Sequence, residues 1–167
     1  MTKKRITTKN NQLDLDRYVP ALVTFLANKL SSGASACYRK NFDVGVVEWR
    51  LLALLKVEQN ITANRMCQVI GLDKAAVSRA LKLLSQRGSV NFIKDEKDGR
   101  SSLICLTKEG EILHDKILHI ALEREALLLG GFQAEEVEVL LRLLHKLNAN
   151  IGQVNAFDPN GPVSTQD

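Results

Sequence analysis

Apolar residues between Leu13 and Asn41 recur at helical spacing through Leu22, Phe25, Leu26 and Leu30, and they predict a long first helix. Pro20 lies inside this stretch, so a break or a helix start is expected near Val19. A second helix is predicted over about Val44 to Glu58, with Val47, Leu51, Leu52, Leu54 and Leu55 forming a broad apolar face. Two short helices follow. Thr62 can cap one that runs to Ile70 and stops at Gly71, and Asp73 can cap the next, which runs to about Arg87 and stops at Gly88. The period then changes: Val90 to Lys94 and Ser101 to Leu106 are β-prone runs, and the Asp98-Gly99 pair between them signals a hairpin. Thr107 can cap a long helix to about Leu129, with Ile112, Leu113, Ile117, Ile120, Leu127 and Leu128 as its apolar positions. Gly130-Gly131 breaks it, and a last helix from Ala134 to Val154 carries Val137, Leu140, Leu141, Leu144, Leu147 and Ile151 at near-heptad spacing. The expected architecture is mainly α with one small β-hairpin.

Composition narrows this picture. The chain has 167 residues, 45% hydrophobic and 25% charged, which suffices for one core and excludes wholesale disorder. The longest uncharged runs, Tyr18 to Asn28 and Leu147 to Phe157, fall far short of the roughly 20 apolar residues of a membrane span. Met1-Thr2-Lys3-Lys4-Arg5 is basic but precedes no apolar stretch, so no signal peptide is expected and the chain reads as soluble and cytoplasmic. Residues 1–12 read as a flexible basic arm and 156–167, with Asp158-Pro159-Asn160-Gly161-Pro162, as a mobile tail.

Charge is distributed unevenly. Of the 23 basic and 19 acidic residues, the segment up to residue 107 holds 18 and 9, whereas 108–167 holds 5 and 10. A basic front and an acidic rear suit a polyanion on one side, although an ordinary solvated surface also accommodates them. The three cysteines, Cys37, Cys67 and Cys105, form no C-x-x-C pair, which argues against a disulfide framework or a zinc ribbon. Each reads as a small apolar residue, with a redox-sensing thiol at Cys37 as the alternative. His114 and His119 diverge by about 140° around a helix, so they do not converge on a metal. No G-x-G-x-x-G, P-loop or G-x-S-x-G motif is present. No enzyme activity, cofactor or metal site is expected.

The chemistry lies in the middle of the chain. Two short helices joined at Gly71-Leu72-Asp73 form the pattern of a helix-turn-helix. At about 100° per residue, Val77, Ala80, Leu81 and Leu84 share one side of the second helix, and Ala75, Ser78, Arg79 and Lys82 share the other. Arg79 can pair with guanine, Ser78 and Lys82 can reach phosphates or base edges, and Ala75 can touch a thymine methyl. The hairpin that follows carries Lys97, Gly99 and Arg100 at its tip, where an arginine suits a narrow minor groove. Solvated helix faces and exposed turns also carry such residues. The order of helices and hairpin, with both tips basic, predicts a winged helix-turn-helix.

These residues resemble the multiple antibiotic resistance regulator (MarR) family from about Tyr38 to Leu147. The resemblance is carried by Gly71-Leu72-Asp73-Lys74-Ala75-Ala76-Val77-Ser78-Arg79-Ala80-Leu81, Asp95-Glu96-Lys97-Asp98-Gly99-Arg100-Ser101, Leu106-Thr107-Lys108-Glu109-Gly110, and Tyr38-Arg39…Phe42…Glu48-Trp49-Arg50-Leu51-Leu52. It implies a homodimer with dimerisation helices at 13–43 and 108–155 around a winged helix-turn-helix at 44–107. It implies duplex DNA with a pseudo-palindromic operator as partner, and a repressor as the function. Thr62, Lys74, Ala75, Ser78, Arg79, Lys82, Lys97 and Arg100 are the expected DNA contacts, with Asp98 and Gly99 supporting the wing. Cys67 stands where the family often has alanine, and Asn91 where it often has a basic residue.

The resemblance also implies an effector pocket between the dimerisation region and the winged helix, taking small aromatic or phenolic acids. Tyr38, Arg39, Trp49 and Arg50 are its candidates here, because an arginine bordering aromatic surface can pair with a carboxylate. Core packing of Trp49 and a local bond for Arg50 account for the same residues. A redox-responsive repressor using Cys37 and a winged-helix protein-interaction module are the competing functions.

Overall fold

The computed structural model describes residues 12–94 and 101–161. Along them run α1 (Val19–Phe42), α2 (Val46–Val57), β1 (Ile61–Thr62), α3 (Ala63–Ile70), α4 (Lys74–Gln86), β2 (Val90–Lys94), β3 (Ser102–Leu106), α5 (Lys108–Leu128) and α6 (Ala134–Asn155). The protein is mostly helical with a small antiparallel sheet, as the periodicity predicts. It falls into two compact units, Met1–Ile120 and Ala121–Asp167.

In the first unit, Pro20 sits in the first turn of α1, where its missing N–H costs no intrahelical bond. The helix therefore begins at Val19 rather than Leu13. It ends at Asp43, which adopts a left-handed conformation with φ of 55°. Arg87, just past α4, clasps the Asp43 carboxylate and so ties the end of α4 to the α1–α2 junction.

The core is built where α2 and α4 cross. Leu51, Leu52 and Leu55 of α2 are fully buried, as are Val77 and Leu84 of α4, with Met66, Ile104 and Ile117 around them. The predicted α2 face is thus the centre of the unit, with Val47 and Leu54 half-buried at its margins. Between α2 and α3 a bidentate pair, Arg65 Nε and Nη2 to Glu58 at 3.0 and 2.9 Å, spans the turn.

The sheet contains one strand that hydrophobic alternation does not predict. Ile61 and Thr62 pair antiparallel with Ile104 and Leu103, giving the order β1-β3-β2. Two residues are too few to show a period of two. The predicted hairpin is present, with Val90 opposite Leu106 and Lys94 opposite Ser102. The Asp98-Gly99 tip lies outside the described residues.

The return from β3 into α5 is tightly built. Thr107 Oγ1 donates to the Gly88 carbonyl at 2.6 Å and accepts from the Gly110 N–H at 3.0 Å, so one hydroxyl caps α5 and anchors it to the end of α4. A Cβ on Gly110 would stand 2.0 Å from the Ser89 carbonyl oxygen, which explains a glycine inside the first turn of a helix.

The second unit takes the end of α5 and the whole of α6. At its N-terminus the Glu136 carboxylate accepts from the Gln133 N–H at 2.9 Å. No residue of α6 is buried, and Leu141, Leu144, Leu147 and Ile151 are exposed.

Gly110→Ala is expected to force α5 away from Ser89 and to cost about 1–3 kcal/mol, the usual range for overpacking. Denaturant melts would read this as a lower midpoint; an unchanged midpoint would contradict the contact.

Candidate nucleic-acid interface

The α3–α4 corner positions a basic helix face. Thr62 Oγ1 accepts from the Arg65 N–H at 3.2 Å and caps α3, leaving the hydroxyl proton to donate elsewhere. Gly71 ends α3 at φ of 73°, a conformation that an L side chain resists, and this turns the chain sharply. Asp73 Oδ1 then accepts from the Ala76 N–H at 2.8 Å and starts α4.

Burial of Val77, Ala80, Leu81 and Leu84 sets the rotation of α4. Ala75, Ser78, Arg79 and Lys82 consequently face outward and are exposed, as is Lys74 in the first turn. Among the described residues, Lys74, Arg79 and Lys82 make no ion pair or side-chain hydrogen bond, so their charges are available to an outside anion. The arrangement offers a guanidinium, an ammonium and a hydroxyl along one exposed helix face. That is the donor set for reading base edges and phosphates.

β2 leaves this helix directly, and between them lies a concavity of about 480 Å³ lined by Ser78, Lys82 and Phe92, among others. Phe92 is half exposed, and its place beside α4 was not foreseen from strand periodicity. The wing residues Lys97, Asp98, Gly99 and Arg100 lie outside the described residues.

The four effector candidates are distributed over two places. Tyr38 is buried and meets Trp49 edge-on, with ring centroids 6.0 Å apart. Trp49 stacks in turn on His114 of α5 at 5.3 Å. Arg50, half-buried, donates from Nη2 to Ser31 Oγ at 2.7 Å, a partner that sequence reasoning did not anticipate. Arg39 turns elsewhere. Its Nε donates to Ser35 Oγ at 3.2 Å, and the side chain lines a cleft that also holds Glu48 and Arg79.

His114 is buried, and its Nδ1 lies 2.8 Å from Asp115 Oδ1, so that nitrogen carries the proton. The ring N–H, with Lys56 Nζ 3.8 Å from the same oxygen, holds the Asp115 carboxyl below the usual carboxylate range. The three cysteines are free thiols and half-buried rather than enclosed. Among the described residues no group of histidine, cysteine and carboxylate side chains is arranged to hold a metal ion. No helix among them is long and apolar enough to cross a membrane.

The model of the MarR family matches residues 42–101, which take in α2, the helix-turn-helix and the start of the wing. A MarR/EmrR family transcriptional regulator from Acinetobacter sp. ADP1 is 34% identical, with a TM-score of 0.78 over 84% of this chain and 99% of that one. The chain belongs to the MarR family. An HTH-type transcriptional regulator of Bacillus subtilis, YdgJ, is 30% identical over 64% of this chain and 65% of its own. The fold is also that of a mutant MarR from E. coli solved with operator DNA, at 21% identity and a TM-score of 0.70 over 81% of this chain and 98% of that one. As a MarR-family member this protein is a DNA-binding transcriptional regulator and not an enzyme.

Because Asp115 binds protons less readily folded than unfolded, its contribution to stability is present above the usual carboxylate range and declines as pH falls through it. Asp115→Asn should therefore flatten the acid side of a plot of melting temperature against pH. An unchanged acid limb would show that the pair contributes nothing.

Proposed function

We propose that this regulator is a homodimeric repressor, acting in the cytoplasm, that binds a pseudo-palindromic operator and is released by a small aromatic or phenolic carboxylate. The observation that carries the DNA half of this reading is the outward face of α4, where Arg79, Lys82 and Ser78 are exposed, Ser78 and Lys82 beside the wing strand and Arg79 on the flank that faces α1 and α2. In this reading α4 enters the major groove, with Lys74, Ala75, Ser78, Arg79 and Lys82 against base edges and phosphates. Thr62 donates its free hydroxyl proton to the backbone. On the wing, Lys97 and Arg100 are the proposed contacts, to phosphate and the minor groove, with Asp98 and Gly99 as their supports.

Dimerisation is supported by apolar surface. Leu22, Phe25 and Leu26 of α1, and Leu144, Leu147 and Ile151 of α6, are each about half exposed in the single chain. Rows of exposed apolar residues at helical spacing are the mark of an interaction face, and a second copy covers them. Two-fold symmetry then places two recognition helices about one helical turn, or 10 bp, apart.

For the effector, the support is the aromatic pair Tyr38 and Trp49 with the half-buried Arg50 next in sequence. A carboxylate can replace Ser31 as the partner of Arg50 while the ligand ring packs on the aromatic side chains. Arg39 belongs to a separate cleft in the free chain. Release follows from linkage: a ligand that binds the DNA-free form better must lower operator affinity by the same factor that DNA lowers ligand affinity.

Sedimentation should show a dimer, and selection from random DNA should return an inverted repeat; a monomer with full specific affinity would defeat the dimer reading. Arg79→Ala should cost about 1–3 kcal/mol on the operator and relax preference at one position. Lys82→Ala should weaken operator and random DNA alike and lower the salt slope by about one. Titration of aromatic carboxylates against the operator complex should release wild type but not Arg50→Ala. Identical release curves would remove Arg50 from the effector site.

A further inference from the structure

Glu48 is an anomaly in the core of the first unit. It stands in the first turn of α2, within an otherwise apolar face, and only 9% of it is exposed. Among the described residues it makes no hydrogen bond or ion pair. Yet no buried side-chain oxygen or nitrogen among the described residues lacks a partner, so the carboxylate oxygens must reach open space. That space is a cleft of about 290 Å³ between the end of α1, the start of α2 and the middle of α4. Its charged lining is Glu48, Arg39 and Arg79; Val47, Ala80 and Leu83 contribute apolar surface.

Gly45 lies against two of the charged groups of this cleft. A Cβ there would lie 2.5 Å from Glu48 Oε2 and 3.0 Å from Arg39 Nη2, so the two charged groups converge on one notch without pairing to each other. A carboxylate that opens on the cleft from a largely buried side chain, with no cation paired to it, is best matched by an ammonium. Arg39 and Arg79 call for an anion in the same space. The apolar wall calls for a hydrocarbon body.

We infer that this cleft binds a small zwitterion of the apolar α-amino acid class, with its ammonium on Glu48, its carboxylate on Arg39 and Arg79, and its side chain on Val47, Ala80 and Leu83. The α-amino acid head group places its two charges about one bond-angle apart, matching two protein groups that share a single notch. Occupancy has a regulatory consequence that rests on the operator reading of Arg79. A carboxylate held in the cleft engages the same guanidinium that α4 offers to DNA, so ligand and operator compete.

The test is calorimetric titration of the full chain without DNA, using L-phenylalanine, phenethylamine and 3-phenylpropionate as probes. The amino acid should bind at least ten-fold more tightly than either half-molecule. Glu48→Gln should reduce phenylalanine to the level of 3-phenylpropionate, and Arg39→Gln should reduce it to the level of phenethylamine. Gly45→Ala, whose methyl would collide with the Glu48 carboxylate and displace it, should abolish the preference for the amino acid through a different residue. Melting curves of the variants establish that each is folded. Equal affinity for the three probes, or unaltered phenylalanine binding in Glu48→Gln and Gly45→Ala, overturns the site whatever the operator experiments show. Phenylalanine that binds the free protein but leaves the operator affinity of wild type unchanged overturns the competition at Arg79.

Discussion

The seating of α4 in the core is the constraint on which the rest depends. Four side chains, Val77, Ala80, Leu81 and Leu84, must be withdrawn from water together, and α2 provides the surface that receives them. A helix buried along one stripe has no freedom to rotate, because a turn of 100° would expose leucine and bury arginine. The outward direction of Arg79, Lys82 and Ser78 is therefore a consequence of apolar packing on the far side of the same helix. The exposed basic face of α4 is aimed by the side chains on the buried side of the same helix.

Polar contacts hold the two ends of that helix. At its start, the left-handed turn at Gly71 and the Asp73 cap set where the first N–H groups point. At its end, Arg87 clasps Asp43 at the α1–α2 junction, and the Gly88 carbonyl takes the Thr107 hydroxyl at the head of α5. These ties link α4 to the elements before and after it. α1 and α5 are thus joined to the end of α4 by specific bonds.

Aromatic packing supplies another connection. Tyr38, Trp49 and His114 form a ladder from α1 through α2 to α5, buried except at Trp49. Arg50 and Arg39 flank it, the first bound to Ser31 and the second turned toward Glu48 and Arg79. Neighbours in sequence serve different places here, because residues 38 and 39, or 49 and 50, are separated by about 100° around their helices. A pocket inferred from sequence proximity gathers residues that helical geometry distributes.

Local signals were sufficient for most of the elements. Helix starts at Thr62, Asp73 and Thr107, the stops at Gly71 and Gly88, and the hairpin strands are all legible, because caps, turn glycines and periodicity act within a few residues. The division of α4 into a buried and an exposed face was legible for the same reason, and so was the MarR-family fold. Tertiary structure decided what depends on distant partners. The short strand β1 exists because β3 lies beside it, Gly110 is required because Ser89 approaches, and Arg50 finds Ser31 on another helix. Glu48 carried only a faint signal, a single acid in an apolar run. Its burial and its convergence with Arg39 and Arg79 follow from the meeting of three helices, and no pattern along one helix encodes where the other two will cross it.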